Sequence, residues 1–112
     1  MSREYRLYLS DILQSQRRIK EYTKGMTYEE FKKSQITIDA VIRNLEVIGE
    51  AARKLPSEIT EKSPELEWRK MTAMRNVLSH EYFGINTQIV WDVIANKIDR
   101  LEQFCRNLLE KA

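Results

Sequence analysis

Between Gln35 and Leu55 the apolar residues Ile38, Val41, Leu45, Ile48, Ala52 and Leu55 recur at alternating steps of three and four, and Ile42 broadens the stripe. An α-helix returns such positions to one face, whereas a strand would need strict alternation. The segment is therefore expected to be a long amphipathic helix. Beside the stripe, Ala40, Asn44, Val47 and Ala51 form a seam with small members, which permits close approach of a second helix.

The same periodicity recurs along the chain. From Arg3 to about Thr23, Tyr5, Leu9, Ile12, Gln16 and Ile19 share a face that Leu13 and Tyr8 widen, and Lys24-Gly25 closes the helix. Thr27-Tyr28-Glu29-Glu30 has the form of a capping box opening a short helix through Lys33. Pro56-Ser57 ends the long central helix, and Ser57 to Lys62 has room for one turn or two. Leu66 to Tyr82 is expected to be helical, with Trp68 anchoring it and Gly84 stopping it. Asn86 then caps a last helix, Thr87 to about Lys111, whose stripe is Trp91, Ile94, Ile98, Leu101, Cys105 and Leu108. No segment alternates as a strand should, and no repeat or linker divides the chain. Residues 1–112 read as one all-α domain, an antiparallel bundle of four longer helices plus one or two short ones.

Bulk properties mainly exclude. Nineteen Lys and Arg against 17 Asp and Glu give a net charge of +2, which permits nucleic-acid binding but argues for it only if the charge gathers on one face. A single cysteine, Cys105, rules out an intrachain disulfide, and its place on an apolar stripe points to a buried structural thiol. The first eleven residues carry charges throughout, unlike a signal peptide. The longest stretch free of Asp, Glu, Lys and Arg is Tyr82 to Trp91, far short of the ~20 residues that span a bilayer. The chain is expected to be cytoplasmic, with no membrane association. It has no Gly-rich phosphate loop, and no Glu-x-x-His pairs of the kind a di-metal carboxylate bundle requires. No metal or cofactor is expected.

The chemistry-bearing stretch is Met71 to Tyr82, MTAMRNVLSHEY, which holds the only histidine. On a helix Met71, Met74 and Leu78 share an oily face, while Arg75, Ser79, Thr72, Asn76 and His80 fall across an arc of about 140°. Arg75 offers a permanently charged planar fork for phosphoryl oxygens, and His80 exchanges protons near neutral pH. Asn76 and Ser79 are placed to orient substrate or the imidazole. The same two residues also suit a structural use, capping carbonyls and complementing the helix dipole. On the central helix a second row, Asp39, Arg43, Glu46, Glu50 and Arg53, alternates in sign at helical spacing. It reads either as a solvated face laced with ion pairs or as a row partly facing the groove that holds Arg75 and His80, with Glu46 or Glu50 orienting one of them.

Arg75, four residues, His80, one residue and Tyr82, in the setting Met-Arg-Asn-Val-Leu-Ser-His-Glu-Tyr-Phe-Gly, resembles the signature of the HepT-like branch of the HEPN families. Arg6 to Leu13 (RLYLSDIL) is similar to the family's opening, Asp39 to Ala52 (DAVIRNLEVIGEAA) to its central helix, and Ile89 to Asp92 (IVWD) to the start of its last helix. The four matched blocks stand in the family's order, and the resemblance extends over nearly the whole chain.

The resemblance implies an all-helical HEPN bundle that forms a homodimer, so that two copies of the motif meet in one cleft, with higher hetero-oligomers open. It implies the ribonuclease toxin of a type VII-like toxin–antitoxin module, acting on RNA and, by family analogy, on tRNA. The implied antitoxin is a minimal nucleotidyltransferase that transfers AMP to Tyr82. Metal-free RNA cleavage needs a base for the 2′-hydroxyl, an acid for the departing 5′-oxygen and positive charge for the phosphorane. Two His80 and two Arg75 in a symmetric dimer supply these from a chain with one histidine. The resulting roles are His80 and Arg75 as catalytic residues and Asn76, Ser79, Arg43, Glu46 and Glu50 as supporting or RNA-binding residues. The alternative is a non-catalytic binding subunit of a nucleotidyltransferase complex, which the modest +2 charge favours slightly.

Overall fold

The computed structural model describes residues 4–62 and 86–111. Among these residues the chain is all-α, with six helices and no strand: α1 (Glu4–Thr23), α2 (Tyr28–Lys33), α3 (Gln35–Arg53), α4 (Ser57–Thr60), α5 (Thr87–Asn96) and α6 (Ile98–Lys111). The expected helix over Leu66 to Tyr82, with Trp68, lies outside the described residues.

Local chemistry sets the helix ends. α1 stops where Gly25 takes a φ of 75°, a left-handed conformation that side chains disfavour. The capping box forms as expected: the Thr27 hydroxyl accepts from the Glu30 N–H at 3.2 Å, and the Glu30 carboxylate accepts from the Thr27 N–H at 2.9 Å. Ser34 serves two helices at once. Its N–H donates to Phe31 O, closing α2, and its hydroxyl accepts from the Thr37 N–H, opening α3. Asn86 Oδ1 accepts from the N–H groups of Gln88 and Ile89 at 3.0 and 3.3 Å and starts α5.

α1 is the axis of the bundle and packs against both α3 and α6. It runs antiparallel to each. Near its start Arg6 Nη2 donates to Leu109 O of α6 at 3.5 Å, and near its end Lys20 pairs with Asp99 at 2.5 Å. On the other side Lys54, just past the end of α3, lies 5.6 Å from the Tyr8 ring centroid. The core between these helices is built from Leu9, Ile12 and Ile19 of α1, Val41, Leu45 and Ile48 of α3, and Leu101, Cys105 and Leu108 of α6. These are the positions the apolar stripes mark out. α2 docks on α5 through aromatic contacts: the Phe31 and Tyr28 rings lie 5.2 and 6.2 Å from Trp91, and the Tyr28 hydroxyl shares a 2.9 Å hydrogen bond with that of Thr87.

One boundary differs from expectation. The last helix is two, broken at Lys97, where φ is −119° and ψ −25°. The 3,4 stripe continues through the break, and the Lys97 N–H still reaches Val93 O at 3.0 Å. Apolar periodicity therefore carries no mark of it.

Candidate functional site

Arg43, Glu46 and Glu50 follow one another at steps of three and four, so α3 presents them on one face. Opposite them α1 presents Tyr8 and Asp11, three residues apart. Between the two helices lies a cleft of about 330 Å³ lined by these five residues with Val47, Ala51 and Lys54. The small side chain of Ala51, expected as part of a close-approach seam, forms the cleft wall together with Val47. Asn44, from the same seam, is buried and returns its amide N–H to Ala40 O at 2.9 Å.

The charges in the cleft are organised around Glu50. Its Oε1 accepts from Arg53 Nη2 at 2.7 Å and lies 3.8 Å from Lys54 Nζ. The bond from Glu50 raises the Arg53 pKa above its ordinary value. Lys54 in turn sits over the Tyr8 ring, so the end of the cleft is closed by a cation held between a carboxylate and an aromatic face. Among the described lining residues three carboxylates, Asp11, Glu46 and Glu50, face two cations, Arg43 and Lys54, and Arg53 adds a third cation on Glu50. Such an acceptor-rich wall can fix a guanidinium or an imidazole N–H in one orientation.

The charged row of α3 thus divides. Arg43, Glu46 and Glu50 line the cleft, while Asp39, accepting from Gln35 Nε2 at 2.8 Å, and Arg53 stand on the exposed side. Tyr8, Asp11 and Lys54 were not singled out as site residues from the sequence. The available signal was the three-residue step from Tyr8 to Asp11 and the four-residue step from Glu50 to Lys54, but only helix packing joins the two sets. Arg75, Asn76, Ser79, His80 and Tyr82 lie outside the described residues. Among the described residues no group of three or more His, Cys, Asp or Glu side chains converges as a metal site, and no helix is long and apolar enough to cross a membrane.

With the bundle and its cleft in view, comparison with known proteins gives the class. Residues 12–108 match the model of the ribonuclease HepT-like family. The chain belongs to the HepT-like ribonucleases, and with them to the RNA-cleaving hydrolases. A candidate RNase of Methanocaldococcus jannaschii is 45% identical over 96 residues, 86% of this chain and 79% of the relative. A candidate RNase of Caldanaerobacter subterraneus is 41% identical over 106 residues, 95% of each chain. A candidate ribonuclease HepT of Thermococcus cleftensis is 37% identical over 102 residues, 91% of this chain and 93% of the relative. No solved structure matches the chain.

Proposed function

We propose that this chain is the toxin of a type VII-like toxin–antitoxin module, a dimeric, metal-independent endoribonuclease restrained by a partner nucleotidyltransferase. The observation that carries the reading is family membership across residues 12–108, a range that includes the whole of Met71 to Tyr82. In this reading His80 transfers the proton between the 2′-hydroxyl and the departing 5′-oxygen, and Arg75 neutralises the charge growing on the phosphorane. Two copies of each come from the two protomers. Asn76 and Ser79 support them, and Glu46 or Glu50 orients Arg75 or His80 from the acceptor-rich cleft, with Arg43 beside them. AMP groups added to Tyr82, two residues beyond His80, place bulk and negative charge beside the catalytic pair and repel RNA.

Two experiments test the two halves of this reading. Arg75→Ala is expected to abolish RNA cleavage while the helical circular dichroism and melting temperature stay as in the unsubstituted chain; undiminished cleavage removes Arg75 from the mechanism. Co-expression with the partner is expected to add whole AMP units to the mass of the chain but not to that of Tyr82→Phe. Equal modification of both overturns the assignment to Tyr82.

The second reading, a non-catalytic subunit of the nucleotidyltransferase complex, is favoured by one observation. Among the described residues the cleft lining holds three carboxylates, Asp11, Glu46 and Glu50, acceptors suited to a partner's cation.

A further inference from the structure

The net charge of +2 conceals an uneven distribution. The eight residues Arg17 to Lys24 contain four cations, Arg17, Arg18, Lys20 and Lys24, against one carboxylate, Glu21. That stretch alone carries +3, so the remainder of the chain carries −1. A mild overall charge therefore coexists with one strongly basic segment.

The fold turns this segment into a surface. Arg17 and Lys20 share one face of α1, and Lys24, four residues on, follows just past its end at Thr23, the three spanning ~10 Å. With Glu21, Thr23 and Ile94 of α5 they line a groove of about 530 Å³. The groove lies on the side of α1 away from Tyr8 and Asp11, since at about 100° per residue Tyr8 sits about 180° and Asp11 about 120° around the helix from Arg17. Among the described residues the groove lining carries three cations against one carboxylate, with Asp99 of α6 paired to Lys20.

Structural duties account for only part of this row. Lys20 is held by Asp99 at 2.5 Å, and that bond raises its pKa. Lys24 lies at the helix end, where a cation complements the dipole, but Arg17 is two turns earlier, beyond the reach of that effect. Neither Arg17 nor Lys24 makes an ion pair with the described residues, and both are exposed. The result is a pair of exposed cations set on either side of a pinned lysine, with Ile94 in the same groove lining.

We infer that the groove between α1 and α5 holds the sugar–phosphate backbone of single-stranded RNA, as a docking contact separate from the cleft between α1 and α3. The inference rests on the ribonuclease reading for its ligand. Arg17 and Lys24 each contact a phosphate and release its counterions, Lys20 completes the row, and Ile94 with the methylene stems of the cations supports the riboses. The contact is to the backbone, so it adds affinity without sequence preference.

The test uses the full chain and the double variant Arg17→Gln with Lys24→Gln, which keeps length and polarity and removes two charges at exposed positions. Binding of a labelled single-stranded RNA is measured against salt concentration, and cleavage of the same RNA and of a dinucleotide is followed in parallel. The expected result is a salt slope lower by about 1.4, from ~0.7 per phosphate contact on a single strand, and affinity at 0.1 M salt weaker by roughly tenfold or more. KM for the long RNA rises while dinucleotide cleavage is unchanged. If the unsubstituted chain cleaves and binds RNA but the variant binds with the same slope, the groove is not an RNA contact and the inference falls alone. If the unsubstituted chain neither binds nor cleaves, the ribonuclease reading fails and takes the inference with it. Displacement of RNA from the unsubstituted chain, but not from the variant, by polyglutamate at equal charge concentration identifies an acidic protein as the occupant and also overturns it.

Discussion

The Lys54 ammonium lies 5.6 Å from the centroid of the Tyr8 ring and 3.8 Å from Glu50 Oε1, joining the end of α3 to the early turns of α1. That junction closes one end of the cleft and makes Glu50 the carboxylate on which its geometry turns. Glu50 is one-third exposed, and its partners Arg53 and Lys54 are more exposed still. Ion pairs so placed contribute at most about 1 kcal/mol to stability. Their use is therefore positional.

Glu50→Gln separates the two uses. The amide keeps the shape and removes the charge, so the melting temperature is expected to stay nearly constant. RNA cleavage is expected to fall roughly tenfold, with a shifted pH profile of kcat/KM, because a side chain oriented by the carboxylate loses its partner. Unchanged kinetics and pH profile show that Glu50 is only a surface ion-pair acceptor.

Gln16 is fully buried on α1, and among the described residues neither its Oε1 nor its Nε2 has a hydrogen-bond partner. A buried amide in that state costs about 1–3 kcal/mol relative to a satisfied one. Gln16→Met, which is similar in volume and lacks the amide, is expected to raise the unfolding free energy by about 1 kcal/mol or more in urea titrations. A lower midpoint with an unchanged slope would show that the amide is satisfied in solution.

Burial pushes the Cys105 thiol from its ordinary 9.0 up to about 12. The folded chain therefore holds the proton across a range in which the unfolded chain has released it. The associated stabilisation is complete below pH 9 and is lost as pH rises from 9 towards 12, the direction required when the folded state binds more protons. Alkylation by iodoacetamide at pH 8 is expected to run about a thousandfold slower in the native chain than in urea. The loss of stability between pH 9 and 12 is expected to be shallower in Cys105→Ala. Rapid native alkylation contradicts the buried placement.

How far the sequence disclosed this structure depends on the range of the interaction. The Thr27 box and the Asn86 cap involve residues within three positions of each other, and both form as read. The apolar stripes of α1, α3 and α6 name the core because a helix face is a local property. Gln16 even keeps its stripe position as a polar residue, with the buried placement the spacing demands. The break at Lys97 escaped because a change in one residue's φ leaves the periodicity of side chains intact. For the site, the α3 row was legible down to Arg43, Glu46 and Glu50, whereas Tyr8, Asp11 and Lys54 join them only through packing of α1 on α3. The basic row of Arg17, Lys20 and Lys24 was present in the composition but averaged away in the net charge.

The most direct test of the account is cleavage of total cellular RNA by the purified chain in excess EDTA, beside His80→Ala, with the intact mass of both recorded. The predicted result is cleavage by the chain of unmodified mass and none by the variant, which makes His80 the proton-transfer residue of a metal-free ribonuclease. An unmodified chain that leaves all RNA intact, or a variant that cuts as well, contradicts the account.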